Sequence, residues 1–228
     1  MPPRNRSNPL ALAVLGCLLE RPMHPYEIGQ TLRSRAKHDS IKLNFGSLYN
    51  VVDGLAARGL VVARETVREG RRPERTVYEI TDAGKVELTE WLSDLVSTPA
   101  KEYLQFVAAL SFLPGLPPDT ALELLRTRVL ALELQLTQRV AIRETARGHK
   151  LPRLFMLEGE YEEALLRAEL DFVRALVEDI ATGELGGLDE WASWYVGDPQ
   201  VLDGPSPFEL QVRDDMYRGN PHPGGDAD

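Results

Sequence analysis

Ser47, Tyr49 and Asn50 stand together in the stretch "NFGSLYNVVDGLAARGLV", which begins at Asn44. A hydroxyl, a phenol and a carboxamide offer neutral donors and acceptors, not a nucleophile, a base or a set of metal ligands. An asparagine can pair with the edge of an adenine, and hydroxyls can take base or phosphate contacts. Cations flank the stretch. Lys42 and Asn44 lead into it, Arg64 follows, and Arg71 and Arg72 are adjacent in "EGRRPE". Side chains of this kind serve phosphates, and an arginine pair at a loop tip can also reach a flanking minor groove.

Catalytic chemistry has no comparable set. The four histidines, His24, His38, His149 and His222, are scattered without ligand spacing. There is no phosphate-binding glycine loop and no nucleophile elbow. The carboxylates of "EGEYEE", Glu158 to Glu163, read as a solvated helix face. The single cysteine, Cys17, excludes an internal disulfide framework and a cysteine-based zinc cluster, and its spacing with Leu10, Val14 and Leu18 places it in a core. No catalytic residue, metal site or cofactor is expected, and the chain is not read as an enzyme.

The net charge of −9 would argue against nucleic acid if it were evenly spread. It is not. Residues 1–75 carry 13 Lys+Arg against 7 Asp+Glu, a balance of +6, and the remaining 153 carry 13 against 28, a balance of −15. A basic working end on an acidic body is the arrangement this describes.

The elements that must position these groups are readable in turn. Asn8-Pro9 caps and starts a first helix with Leu10, Ala13, Val14, Cys17 and Leu18 on one stripe. His24-Pro25 starts a second, with Ile28 and Leu32 inward and Arg33, Arg35 and Lys37 near its end. In the third, Leu48, Val51, Val52 and Leu55 fall on one arc, and Tyr49, Asn50, Asp53 and Ala57 on the other. Gly59 ends it. Val61–Arg68 and Arg75–Ile80 alternate as strands joined by "EGRRPE", with Val62, Arg64, Thr66 and Arg68 sharing a face. Thr81 caps a fourth helix, to about Val96, with Leu88, Trp91, Leu92 and Leu95 inward. Three helices followed by an arginine-tipped hairpin predict a winged helix-turn-helix whose third helix enters the major groove and whose second supports it, with Tyr26 as a buttress.

Beyond Pro99 the pattern becomes purely helical. "KEYLQFVAALSFLP" predicts a short apolar helix. A long helix follows, in which Leu122, Leu125, Val129, Leu132 and Leu136 are spaced as a heptad seam. A further helix over Arg153–Ile180 carries Tyr161, Leu165, Ala168, Phe172 and Leu176 as a stripe. The two helices can pair with each other, dock on a second subunit, or do both. From Gly183 to Asp228 there are 8 glycines and 5 prolines in 46 residues, yet Trp191, Trp194, Tyr195, Phe208, Met216 and Tyr217 imply that part of this tail packs.

The expected fold class is therefore mainly α. A winged helix-turn-helix with a two-stranded wing spans 1–98, a C-terminal α-helical dimerisation domain spans 99–182, to which the resemblance given below adds an effector role, and a Gly/Pro-rich tail, partly packed, spans 183–228. No apolar run reaches the roughly 20 residues of a spanning helix, and no signal peptide is read, so a cytoplasmic protein away from membranes is expected.

"LAVLGCLLERPMHPYEI", "FGSLYNVVDGLAARGLV" and "GRRPERTVYEITDAG" resemble the PadR family of bacterial transcriptional regulators. "MLEGEYEEALLRAELDFVRAL" resembles the last helix of its longer subfamily, which carries a virulence-activator-type dimerisation domain. The resemblance covers roughly residues 8–182 and is most specific in the first 85. It implies a homodimer on a double-stranded DNA operator, usually a repressor, released by a small phenolic or hydrophobic effector. Three positions depart from the pattern: Asn50 replaces the usual proline after the Leu-Tyr pair, Pro25 replaces a glycine, and Phe172 stands where tryptophan is frequent.

On that reading Lys42, Asn44, Ser47, Tyr49, Asn50, Arg64, Arg71 and Arg72 contact DNA. Leu122, Leu125, Val129, Leu132, Leu136, Tyr161, Leu165 and Phe172 serve dimerisation. Trp91, Tyr103, Phe106 and Tyr161 are the effector candidates, in a pocket expected between the winged domain and the C-terminal helices. The competing reading is a dimeric winged-helix protein-interaction module without sequence-specific DNA binding.

Overall fold

The computed structural model describes residues 8–37, 41, 44–67 and 75–195, with the backbone alone at residues 45, 65–67 and 75. Contacts within the chain divide it into two units, Met1–Glu102 and Tyr103–Asp228. The architecture is mainly helical, a winged helix-turn-helix followed by a helical C-terminal region.

In the first unit α1 (Pro9–Glu20), α2 (Pro25–Ser34) and α3 (Phe45–Ala57) precede strands β1 (Val61–Val67) and β2 (Arg75–Ile80) and helix α4 (Asp82–Ser97). Each of the first three helices opens on a side-chain cap. Asn8 accepts from the Leu10 amide, His24 from Tyr26 and Asn44 from Gly46, so orphan amides are satisfied before the apolar spacing begins. Val14, Leu15 and Leu18 of α1, Ile28 of α2, and Leu48, Val52 and Leu55 of α3 make one buried cluster with Leu60, Val61, Ile80, Leu88 and Trp91.

The wing is tied into this core at its base. Met23, in the turn between α1 and α2, exchanges two 3.0 Å backbone bonds with Tyr78 of β2, an isolated antiparallel bridge that ties the turn to the wing. Thr81 donates to the Gly59 carbonyl at 2.7 Å and accepts the Gly84 amide at 3.1 Å. Gly84 is then forced by packing. A Cβ there would stand 2.1 Å from the Leu60 carbonyl oxygen.

Two expectations fail here. Leu88 and Trp91 of α4 are buried, but Leu92 and Leu95 are exposed, because the core contacts one stripe of the helix and these two fall beside it. The β1–β2 register shifts between Ala63 and Glu65, so Arg64 occupies an irregularity. The alternation that would put Val62, Arg64, Thr66 and Arg68 on one face is broken there. Arg68 lies outside the described residues.

The second unit contains α5 (Gln105–Ser111), α6 (Pro118–Gly148), α7 (Leu157–Thr182) and α8 (Leu188–Ser193). Helices α6 and α7 form an antiparallel pair, with Ala121, Leu125 and Leu132 packed in one cluster with Leu170, Val173 and Ile180. Leu122, Val129 and Leu136 are half-buried against the same cluster, so the heptad seam is used inside the chain. Ion pairs run alongside it: Arg128 with Glu169, Glu133 with Arg174 at 2.6 Å, Arg139 with Glu162 at 2.9 Å, and Arg143 with Glu163 at 2.6 Å.

The "EGEYEE" carboxylates are not all solvated. Glu163 is only 4% exposed and lies between Arg143 and Arg167, which hold its carboxyl below the usual carboxylate range, Arg167 contributing most. Glu160 pairs with Arg153. The tail begins packed. Trp191 donates its indole N–H to the Leu116 carbonyl at 2.8 Å, and the Tyr195 hydroxyl donates to the Pro114 carbonyl at 2.7 Å. Phe208, Met216 and Tyr217 lie outside the described residues.

Helix α7 has two apolar faces. At about 100° per residue, Leu170, Val173 and Ile180 point one way while Tyr161, Leu165 and Phe172 point roughly 110° away around the helix. The latter three are 67%, 53% and 53% exposed. Of the stripe read from sequence as the packing face, only Leu176 packs against the α6–α7 cluster while Tyr161, Leu165, Ala168 and Phe172 lie outward, and an inner stripe one step around the helix meets α6.

Candidate nucleic-acid interface

The surface that carries the chemistry is built by α3 and its neighbours. Leu48, Val52 and Leu55 anchor the helix, and its Ser47, Tyr49 and Asn50 are all exposed. Asn44 spends its side-chain carbonyl on the cap, accepting from Gly46 at 2.9 Å, which leaves the amide nitrogen for any phosphate.

Tyr49 does not stand alone. Its ring meets the His24 ring edge to face, with centroids 6.1 Å apart and planes at 72°. The same imidazole accepts the Tyr26 amide through Nδ1 at 3.1 Å, so neutral His24 carries its proton on Nε2. One residue thereby caps the supporting helix and steadies the aromatic of the reading helix. Sequence reading missed this contact. Only the His-Pro start of α2 was visible, and nothing in its spacing points to a residue 25 positions further on.

Ser47 and Asn50 turn to the other flank of α3. With Asn8 and Arg58 they rim a groove of about 440 Å³ between α3 and the start of α1, floored by Ala11, Val51 and Leu55. Arg58, the C-cap of α3, also pairs at 3.2 Å with Glu87, which is buried.

The described cations of this unit are partly matched by acids. Arg35 meets Glu20 at 2.5 Å and holds that carboxyl below its usual range through a side-chain hydrogen bond, and Arg21 meets Glu27 at 2.5 Å. Arg64 is exposed on β1 and lies 3.5 Å from Glu79 on the neighbouring strand, a partner not foreseen from sequence. Lys42, Arg71 and Arg72 fall outside the described residues. Burial pushes the Cys17 thiol up, in keeping with a packing residue.

The four aromatic effector candidates do not share one environment. Trp91 is buried in the first unit and its indole N–H has no hydrogen-bond partner. In the second unit Tyr103 is 86% exposed, Tyr161 is exposed on α7, and Phe106 is half-buried with the Arg128 guanidinium 3.6 Å from its ring centre. Among the described residues no group of acidic, histidine or cysteine side chains is placed to hold a metal ion, and no helix is long and apolar enough to cross a membrane.

Three helices with a tied two-stranded wing, presenting hydrogen-bonding side chains on the third helix, define a winged helix-turn-helix protein. Comparison with known proteins narrows the class. Residues 14–90 match the transcriptional regulator PadR-like family. The negative transcriptional regulator PadR of Bacillus subtilis (strain 168) is 26% identical over 166 residues, covering 70% of this chain and 77% of the relative.

Among solved structures, Bacillus subtilis PadR in complex with operator DNA superposes with a TM-score of 0.63 at 19% identity, covering 76% of this chain and 99% of the other. The same protein in complex with p-coumaric acid gives 0.58 at 19% identity, covering 75% and 98%. The PadR-like transcriptional regulator BC1756 from Bacillus cereus gives 0.53 at 16% identity, covering 76% and 99%. The family match covers the winged domain, and the chain shares the fold of these solved structures, a winged domain followed by a helical C-terminal region. That family is one of regulators and not of enzymes.

Proposed function

We propose that this protein is a PadR-like transcriptional regulator, a cytoplasmic homodimer that binds an operator in double-stranded DNA, represses, and is released by a small hydrophobic or phenolic effector. The observation that carries the DNA-binding part is the division of α3, whose Leu48, Val52 and Leu55 are buried while Ser47, Tyr49 and Asn50 face outward. Helices so presented enter the major groove with their first residues against base edges. Asn44, Arg64 and, from the sequence, Lys42, Arg71 and Arg72 supply the backbone contacts.

Dimerisation is supported by the outer face of α7, where Tyr161, Leu165 and Phe172 leave an apolar stripe in water. The inner seam residues Leu122, Leu125, Val129, Leu132 and Leu136 act beneath it by fixing α7 on α6. Repression and release rest on the relatives, one a negative transcriptional regulator and one a structure with p-coumaric acid bound. Tyr103 and Tyr161 are exposed side chains that can meet an aromatic ligand; Trp91 and Phe106 complete the candidate set. Such a ligand works by population shift, favouring dimers whose reading helices no longer match half-sites about 34 Å apart.

The test is a mobility shift on DNA upstream of the protein's own gene, with sedimentation of the same sample. A dimer that shifts this DNA in a salt-dependent way, and releases it with a phenolic acid, is the expected result. A protein that shifts no DNA at any salt concentration refutes the reading in favour of a protein-interaction module.

A further inference from the structure

We propose that the groove between the start of α1 and α3 seats the sugar–phosphate backbone of one DNA strand, which makes Asn8 of α1 a neighbour of the bound duplex. The proposal rests on the DNA-binding reading above and adds a contact from an element outside the reading helix and the wing.

Ser47, Asn50, Gly54 and Arg58 follow one another at spacings of three, four and four along α3, so they form a single row. That row faces Asn8 and Ala11 across the groove. Its first two members belong to the outward face offered to bases, so a strand whose bases meet Asn50 passes its backbone along this flank. The lining chemistry suits that strand. Ala11, Val51 and Leu55 give an apolar floor for deoxyribose, and the Ser47 hydroxyl and Arg58 guanidinium are phosphate donors. Among the described residues no carboxylate lines the groove. Arg58 uses one Nη on Glu87, and a guanidinium carries five donors.

Gly54 supports the same assignment. A glycine inside a helix lowers helix propensity, and a Cβ here would meet nothing within 4 Å, so packing in the chain does not require it. Close approach of a DNA backbone would use the space it leaves.

The test uses Asn8, because its cap role can be held constant. Asn8→Asp keeps a side-chain acceptor for the Leu10 amide and adds a negative charge at the groove; Asn8→Ser keeps an acceptor without the charge. Full-length protein first selects its preferred duplex from a random-sequence pool, and affinities for that duplex are then measured across a salt series, with thermal midpoints recorded. Asn8→Asp is expected to melt near wild type yet lose affinity about tenfold, with the loss shrinking as salt rises. Asn8→Ser is expected to recover most of that loss. Binding of Asn8→Asp at wild-type affinity overturns the groove contact while leaving DNA binding intact, as does an equal loss in Asn8→Ser. Failure of the wild type to select any duplex overturns both readings.

Discussion

The imidazole of His24 lies edge-on to the ring of Tyr49, 6.1 Å between centroids, while its Nδ1 holds the first turn of α2. Helices α2 and α3 are thus coupled through one side chain at the end of the domain proposed to meet DNA.

Separating the two duties of His24 is straightforward. His24→Asn retains a good N-cap and removes the ring, so it should melt within about 0.5 kcal/mol of wild type and bind the selected duplex several-fold more weakly. His24→Ala loses both and should also be destabilised by about 1 kcal/mol. Unchanged binding by the asparagine variant would show that Tyr49 is placed without help from His24. Chemical denaturation and fluorescence anisotropy on the same preparations give both numbers.

Glu163 tests the packing of α6 on α7. Its carboxyl is held down by Arg167 and Arg143, so its folded-state value lies below that of the unfolded chain. Such a group contributes stability that is present above the unfolded value of about 4.3 and is lost as pH falls through the folded value. Glu163→Gln should therefore cost about 1–2 kcal/mol near neutrality, a figure reduced because Arg167 is half-exposed. The gap between the two proteins should close in acid. A gap that is constant with pH would mean that the carboxylate charge is not what matters.

These two sites also mark what a sequence can and cannot show. The caps at Asn8 and Thr81, the anchoring of α3 by Leu48, Val52 and Leu55, and the order of helices and hairpin were legible because they depend on neighbours along the chain. The His24–Tyr49 contact and the Arg64–Glu79 pair were not, because they join residues distant in sequence. Nor could spacing tell the inner stripe of α7 from the outer one, since both are apolar and the outer is the more aromatic. Glu163 was misread for a related reason: besides Arg167 on its own helix it meets Arg143 of α6, which local composition does not reveal.

The outer stripe yields a separable prediction. Leu165→Glu and Phe172→Glu, both on the exposed face of α7, should leave helix content and the α6–α7 core unchanged while shifting the sedimenting mass from dimer toward monomer. Leu132→Ala, in the inner seam, should instead cost about 2–5 kcal/mol of stability. Dimers that survive both outer substitutions would place the subunit contact on another surface.

Asn50 carries the central claim, since its carboxamide can pair with a base edge and it stands exposed on α3. The decisive measurement is the affinity of wild type and Asn50→Ala for the selected duplex, for its single-base variants and for random duplex. A base-reading Asn50 predicts that Asn50→Ala loses about 1–3 kcal/mol on the selected duplex, little on random DNA, and all preference at one base pair per half-site. Equal losses on selected and random DNA would contradict it.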